Sequence, residues 1–114
     1  MLNTEEKVQA VVAALEDIKA TQITVIDTSK RSPLFERMVV ASANSPRQTR
    51  ALADHVSTQL KLRGETVLGM EGQDSGEWVL VDLGEVVVHI MQPAVRAYYN
   101  LEELWNMKQL PRAA

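Results

Sequence analysis

Apolar residues near the start of the chain recur at the three- and four-residue spacing of an amphipathic helix. Asn3 and Glu6 precede them at the spacing of a capping box, in which each residue caps the backbone of the other. The pattern therefore predicts a helix over about residues 4–20. The apolar stripe of this helix consists of Val8, Val11, Val12, Leu15 and Ile18.

A second helix is predicted over about residues 46–63 by the strongest local signal in the chain. Ser45 suits the N-cap, Pro46 suits the first helical position, and Gln48 completes a capping box. Gly64 lies where a left-handed terminator is expected. The stripe of this helix consists of Leu52, Val56 and Leu60.

Short β-branched and apolar segments predict five strands, at residues 23–26, 38–41, 66–68, 78–81 and 86–90. The last two flank a turn over residues 82–85, where Gly84 can supply a positive φ. Pro93 then breaks the extended run, and residues 101–107 are predicted to form a final short helix. The order α-β-β-α-β-β-β-α predicts an α/β (α+β) single domain with a mixed sheet flanked by helices.

Composition narrows the class of protein. The chain has 114 residues and a net charge of −3. It contains no cysteine, which excludes disulfides, thiolate catalysis and zinc–thiolate sites. An acidic chain favours basic protein partners over nucleic acid. No apolar run approaches the ~18 residues of a membrane span, and the polar N-terminus does not resemble a signal peptide.

Few residues carry recognisable chemistry. Asp27 and Asp82 each end a predicted strand and could lie close together as a vestigial metal site, but strand-end aspartates are routine turn formers. His89 has no second ligand at a suitable spacing, so a hydrogen-bonded structural histidine is favoured. Arg47 and Arg50 could contact RNA or a partner carboxylate, or Arg50 could pair with Asp54 on a solvated face.

Leu83 is the sharpest local feature, because hairpin turns are usually polar. A leucine there is either tucked under the sheet or available to a partner. Trp78 begins the same hairpin and Tyr99 is expected to close over its base. Leu101, Leu104 and Trp105 could extend such a surface or seal the core.

Four segments in order resemble the Iojap, or ribosomal silencing factor, family. They are SPRQTRALAD (45–54), GMEG (69–72), EWVLVDLGEVVVHIM (77–91) and RAYYNLEELW (96–105). The family's small-Gly-small step and its aspartate with an aromatic pair are replaced over residues 35–44 of this chain. The resemblance covers most of the chain and implies one Iojap-like domain over residues 1–107, with a loose tail over 108–114.

The resemblance implies a nucleotidyltransferase-like sheet without the transferase active site, and a cytoplasmic monomer or homodimer that needs no cofactor. It further implies binding to the large ribosomal subunit through ribosomal protein L-fourteen, with minor ribosomal RNA contact, so that the small subunit cannot join and translation falls when nutrients are short. Trp78, Leu83 and Tyr99 are then the apolar anchors, and Leu83→Glu is expected to abolish binding without harming the fold. The acidic side chains that complement a basic partner are Glu71, Asp82 and Glu85.

Two other classes of function stay open at this point. One is a small nucleotide- or metal-dependent enzyme that uses Asp27 and Asp82. The other is a generic adaptor that dimerises through its tyrosines and Trp105.

Overall fold

A computed structural model describes residues 2–30 and 32–101 of the chain. These residues contain three helices and five strands, and the predicted order of the first two helices and the five strands is confirmed. The helices are α1 (Thr4–Asp17), α2 (Pro46–Leu62) and α3 (Pro93–Tyr99). The strands are β1 (Thr21–Asp27), β2 (Arg37–Ser42), β3 (Gly69–Glu71), β4 (Trp78–Asp82) and β5 (Val86–Met91).

The five strands form one mixed sheet in the order β1-β2-β5-β4-β3. Strands β2 and β5 are parallel, while the other neighbouring pairs are antiparallel. The predicted mixed sheet of about five strands is therefore confirmed, and β5 is its central strand, as the continuous apolar run over residues 86–88 indicated.

Capping residues fix where the two long helices begin. The side chain of Asn3 accepts a hydrogen bond from the backbone of Glu6, and the carboxylate of Glu6 accepts one from the backbone of Asn3, which completes the predicted capping box. Ser45 caps α2 through the backbone of Gln48. Both helices pack on the same face of the sheet, where their apolar stripes and the inward residues of β2, β4 and β5 form the main core.

Leu83 belongs to that core. Its side chain is only 2% exposed and packs with the helices and inward strand residues. Of the two alternatives, the leucine is tucked under the sheet, so its placement as an exposed anchor is wrong and Leu83→Glu is no longer expected to leave the fold intact. The turn folds the leucine back under the sheet, because the backbone of Leu83 bonds to Val86 and Gly84 takes a φ of 94°.

Several element boundaries also differ from prediction: α1 ends at Asp17 and not near residue 20, and β1 extends over Thr21–Asp27. The third strand is Gly69–Glu71 and not 66–68, since its pairing with β4 is set by the register of Gly69 with Asp82. Pro93 begins α3 instead of only ending the strand, because proline suits the first turn of a helix. Residues 102–114 lie outside the described chain, so the predicted helix beyond Leu101, the predicted tail and the roles of Leu104 and Trp105 lie there too.

Candidate protein-docking surface

The face of the sheet opposite α1 and α2 is only partly covered. Side chains alternate along a strand, so the residues between the core valines of β4 and β5 point to this second face. Leu80 lies opposite His89, and Asp82 lies opposite Val87, in the ladder between these strands. Leu80, Val87 and His89 are all half-buried, so this part of the second face borders solvent.

One end of the second face is closed by α3. Arg96 on that helix is buried, and its guanidinium donates to Gln22 O at 2.6 Å and to Ser42 Oγ at 2.8 Å. It also donates to Thr24 Oγ1 at 3.1 Å. These bonds hold α3 against β1 and β2, and so place Tyr99, at the end of the helix, beside Trp78.

The remainder of the face forms two neighbouring hollows. One, of about 250 Å³, is lined by Glu71, Gly72, Trp78, Leu80 and His89. The other, of about 330 Å³, is lined by Leu34, Phe35, Leu80, Asp82, Gly84, Val87 and His89. Since Leu80 and His89 line both, the hollows form one continuous apolar surface. We call this surface the open-face patch and define it as Leu34, Phe35, Trp78, Leu80, Val87, His89 and Tyr99.

An aromatic cluster forms one end of the open-face patch. The rings of Trp78 and Tyr99 lie with centroids 4.8 Å apart at 50°, which is within the range of favourable aromatic pairs. Tyr99 is 53% exposed and Trp78 is half-buried. The predicted closure of Tyr99 over the base of the hairpin is therefore observed.

His89 is a hydrogen-bonded structural residue, as predicted. The indole N–H of Trp78 donates to Nδ1 of His89 at 2.9 Å. An indole N–H can only donate, so Nδ1 must be the unprotonated nitrogen and the proton of the neutral ring lies on Nε2. Burial lowers the pKa of His89 from 6.5 to about 4, because the charged imidazolium is poorly solvated there.

Gly72 allows the loop before β4 to approach Trp78 closely. Its φ is 92°, in the left-handed region, and a Cβ added there would overlap the backbone carbonyl of Trp78. Arg50 on α2 ties down the same loop, since its guanidinium donates to Gln73 O at 3.0 Å and to Asp74 O at 3.4 Å. Arg50 therefore serves the loop that supports Trp78, whereas the sequence left open a contact with RNA or a partner carboxylate and a pairing with Asp54. Arg47 is exposed.

The three acidic residues expected at the surface have different surroundings. Glu71 is exposed at the rim of the smaller hollow. Asp82 lines the larger hollow and accepts a hydrogen bond from the backbone of Gly84 at 2.9 Å. Glu85 instead forms an ion pair with Lys7 at 2.7 Å, so its carboxylate already has a partner within the chain.

Lys7 connects the hairpin turn to the loop after α2. Its ammonium also lies 3.1 Å from the buried carboxylate of Glu65. Bonds from the Leu2 backbone and from Lys7 lower the pKa of Glu65, and the bond from Lys7 lowers the pKa of Glu85. Burial opposes the charge on Lys7, but the two glutamates outweigh it and raise its pKa. These contacts hold the turn that contains Leu83 in place.

Asp27 and Asp82 do not form a joint site. They lie three strand spacings apart, or about 14 Å, and alternation with Ile26 and Val81 points them to opposite faces of the sheet. Asp27 accepts bonds from the backbone and hydroxyl of Ser29, which together lower its pKa. Both aspartates are turn formers, and no cluster of three metal-ligating side chains occurs within residues 2–30 and 32–101.

The described helices include none that is long and apolar enough to cross a membrane. The open-face patch is a partly exposed aromatic and aliphatic sheet face flanked by carboxylates, which is the kind of surface that often marks a protein interaction site.

A sequence profile described as "Ribosomal silencing factor during starvation" matches residues 2–113. The chain belongs to this family of ribosome-associated regulators of translation, as the motifs indicated. It is 52% identical to ribosomal silencing factor RsfS of Chromobacterium violaceum, over 92% of this chain and 86% of that protein. It is 38% identical to the Bacillus subtilis protein of the same name, over 92% of this chain and 89% of that protein.

Solved structures and an organellar relative extend the comparison. A crystal structure from Chromobacterium violaceum superimposes with a TM-score of 0.91 at 51% identity, covering 92% of this chain and 88% of that one. Another, from Bacillus halodurans, gives 0.81 at 35% identity, covering 90% and 95%. The mouse protein named "Mitochondrial assembly of ribosomal large subunit protein 1" is 30% identical over 89% of this chain and 46% of that protein.

Much of the open-face patch was not predicted from the sequence. Leu80 and Val87 alternate with core valines, so the period-two pattern was present, but it cannot show which sheet face a helix leaves uncovered. Leu34 and Phe35 lie in a loop whose position over the sheet depends on contacts distant in sequence.

Proposed function

We propose that this protein is a cytoplasmic ribosomal silencing factor that binds the large ribosomal subunit through ribosomal protein L-fourteen. The bound domain then occupies the surface that the small subunit needs, so that subunit joining and translation are blocked sterically and no bond is made or broken. The observation that carries the proposal is the open-face patch, with its partly exposed Trp78–Tyr99 pair. Family membership supports the ribosome as the target.

Tyr99 and Trp78 have the properties of interface anchors. Tryptophan and tyrosine dominate the binding energy of protein interfaces, because they bury large areas and lose little conformational freedom. About half of the surface of Tyr99 remains for a partner to cover. Leu80 and Val87 extend the apolar contact across the sheet.

Leu83 has a supporting role in this proposal. Its side chain lies in the core beneath the hairpin, where it holds the turn and the adjoining Asp82 in place. It therefore influences docking through the shape of the turn, whereas the sequence suggested direct contact.

The charges around the patch suit a basic partner. Glu71 and Asp82 border the two hollows, whereas Glu85 is held in an ion pair with Lys7. Carboxylates at an interface rim increase the rate of association with a cationic surface more than they increase final affinity. Of the two arginines considered for minor contact with ribosomal RNA, Arg47 on α2 is the exposed one.

The proposal is tested by the binding of purified large subunits, and of isolated protein L-fourteen, to two matched variants. Tyr99→Ala removes an anchor from the open-face patch. Leu62→Ala removes an apolar side chain that is also exposed, at 75%, from α2 on the opposite side of the sheet. We expect Tyr99→Ala to weaken both interactions about thirtyfold, the ~2 kcal/mol typical of an anchor, and Leu62→Ala to bind like the wild type.

Equal binding by the wild type and Tyr99→Ala would refute the placement of the docking surface. Binding to large subunits but not to isolated protein L-fourteen would refute the choice of partner protein.

A further inference from the structure

The bond between His89 and Trp78 links a half-buried titratable group to the proposed anchor of the docking surface. The two residues are diagonal neighbours across β4 and β5, since Trp78 pairs with Met91 and His89 pairs with Leu80. Their rings lie with centroids 5.8 Å apart at 49°. Such diagonal pairs are within reach of aromatic side chains, so the contact is set by strand register.

We propose that His89 is a positioning residue for Trp78: its Nδ1 accepts the indole N–H and thereby holds the ring in the orientation that docking requires. This inference rests on the proposed function and adds to it the residue that orders the anchor. A side chain that is ordered before binding loses less conformational entropy when the partner arrives.

The geometry supports this assignment on two sides of the indole ring. Tyr99 packs against Trp78 at 4.8 Å, but a ring contact alone leaves the indole free to slide or flip. The single directional bond to Nδ1 defines which edge of the indole faces the sheet. Gly72 leaves room for the Trp78 backbone at the same place, so the backbone and the ring edge are both fixed.

The same bond makes the orientation of the Trp78 ring sensitive to acid. A protonated His89 carries N–H groups on both nitrogens and cannot accept from the indole, so protonation must release the ring. The other titratable groups near this site are Glu71 on β3, Asp82 at the end of β4 and the Tyr99 phenol on α3. All three are present in any variant of His89, so a comparison between variants isolates the histidine.

Two substitutions separate the acceptor from the bulk of the ring. His89→Asn keeps an oxygen acceptor close to the position of Nδ1, whereas His89→Leu keeps apolar volume without any acceptor. Trp78 is half-buried, so water can reach its N–H in the leucine variant and the fold should persist. Far-ultraviolet circular dichroism and a cooperative unfolding transition check this directly.

The first readout is the indole N–H resonance of Trp78 in the free, nitrogen-labelled protein, with Trp105→Phe used for assignment. We expect the resonance to shift and to exchange faster with water in His89→Leu, and to stay near its wild-type position in His89→Asn. The second readout is binding to purified large subunits. We expect about fivefold weaker binding for His89→Leu, equivalent to one hydrogen bond, and restoration by His89→Asn.

A pH profile completes the test. Wild-type binding should weaken below about pH 5 more than His89→Asn binding does. Equal affinity and an unchanged indole resonance in His89→Leu would overturn the inference while leaving the proposed function intact. No binding of large subunits by the wild type would overturn the proposed function, and the inference with it.

Discussion

Replacing Leu83 by alanine should destabilise the whole domain, even though the residue lies in a hairpin turn. The leucine is 2% exposed and belongs to the main core. Removing a buried leucine side chain down to Cβ costs about 2–5 kcal/mol, depending on how far the site collapses. Because Leu83 lies at the edge of the core beside a flexible glycine, Gly84, we expect about 3 kcal/mol.

The matched control is Leu34→Ala, which removes the same atoms from a side chain that is 80% exposed. Surface substitutions of this kind usually change the free energy of unfolding by less than about 0.5 kcal/mol. The assay is urea unfolding followed by circular dichroism at pH 7.5. With an m-value of about 1.5 kcal/mol per molar, the midpoint of Leu83→Ala should fall by about 2 M.

Coincident unfolding curves for Leu83→Ala and Leu34→Ala would refute the placement of Leu83 in the core. They would restore the alternative that the turn leucine faces solvent and contacts the partner directly. If the burial is right, any loss of ribosome binding by Leu83→Glu must be interpreted together with its unfolding, because an unpaired carboxylate in the core is strongly destabilising.

Three further predictions concern stability. Burial lowers the pKa of His89 from 6.5 to about 4, so its contribution to the free energy of unfolding is full above pH 6.5 and is lost as the pH falls towards 4. In denaturant unfolding, the wild type should therefore lose about 2 kcal/mol more than His89→Asn between pH 7.5 and 5. Equal losses would contradict this prediction. Lys7→Met should cost about 3 kcal/mol at pH 7, because it leaves the Glu65 carboxylate buried beside one backbone donor. The lowered pKa values of Glu65 and Glu85 stabilise the fold above about pH 4.5. In urea unfolding, Lys7→Met should therefore lose less stability below that pH than the wild type does. An unchanged acid dependence would argue against the ion-pair cluster. Gly72→Ala should lower the thermal midpoint by several degrees through strain at a φ of 92°, and an unaltered midpoint would show that the loop can move away from Trp78.

Local patterns were sufficient for most of the fold. Capping signals at Asn3 and Ser45 located the starts of α1 and α2, because caps depend on neighbours three residues away. The turn at Gly84 identified the hairpin of β4 and β5, and the continuous apolar run over residues 86–88 identified β5 as a central strand. Pro93 was ambiguous, since proline both ends strands and begins helices, and only packing against the sheet selects between them.

The features that the sequence could not predict depend on contacts between distant residues. Whether Leu83 turns inward is decided by the helices beneath it, and the pairing of Lys7 with Glu85 joins residues 78 positions apart. The bond from Trp78 to His89 requires the register of the hairpin to be known. For the same reason, the sequence identified Trp78, Tyr99, Glu71 and Asp82 as candidates without showing that they border one surface.

Subunit joining in a sucrose gradient tests the central claim most directly. Separated small and large subunits are mixed under conditions that favour joined ribosomes, with the wild-type protein, with Tyr99→Ala or with no addition. We predict that the wild type migrates with free large subunits and reduces the joined peak, whereas Tyr99→Ala does neither. A full joined peak in the presence of saturating wild-type protein would contradict the proposal that this chain silences ribosomes by occupying the large subunit.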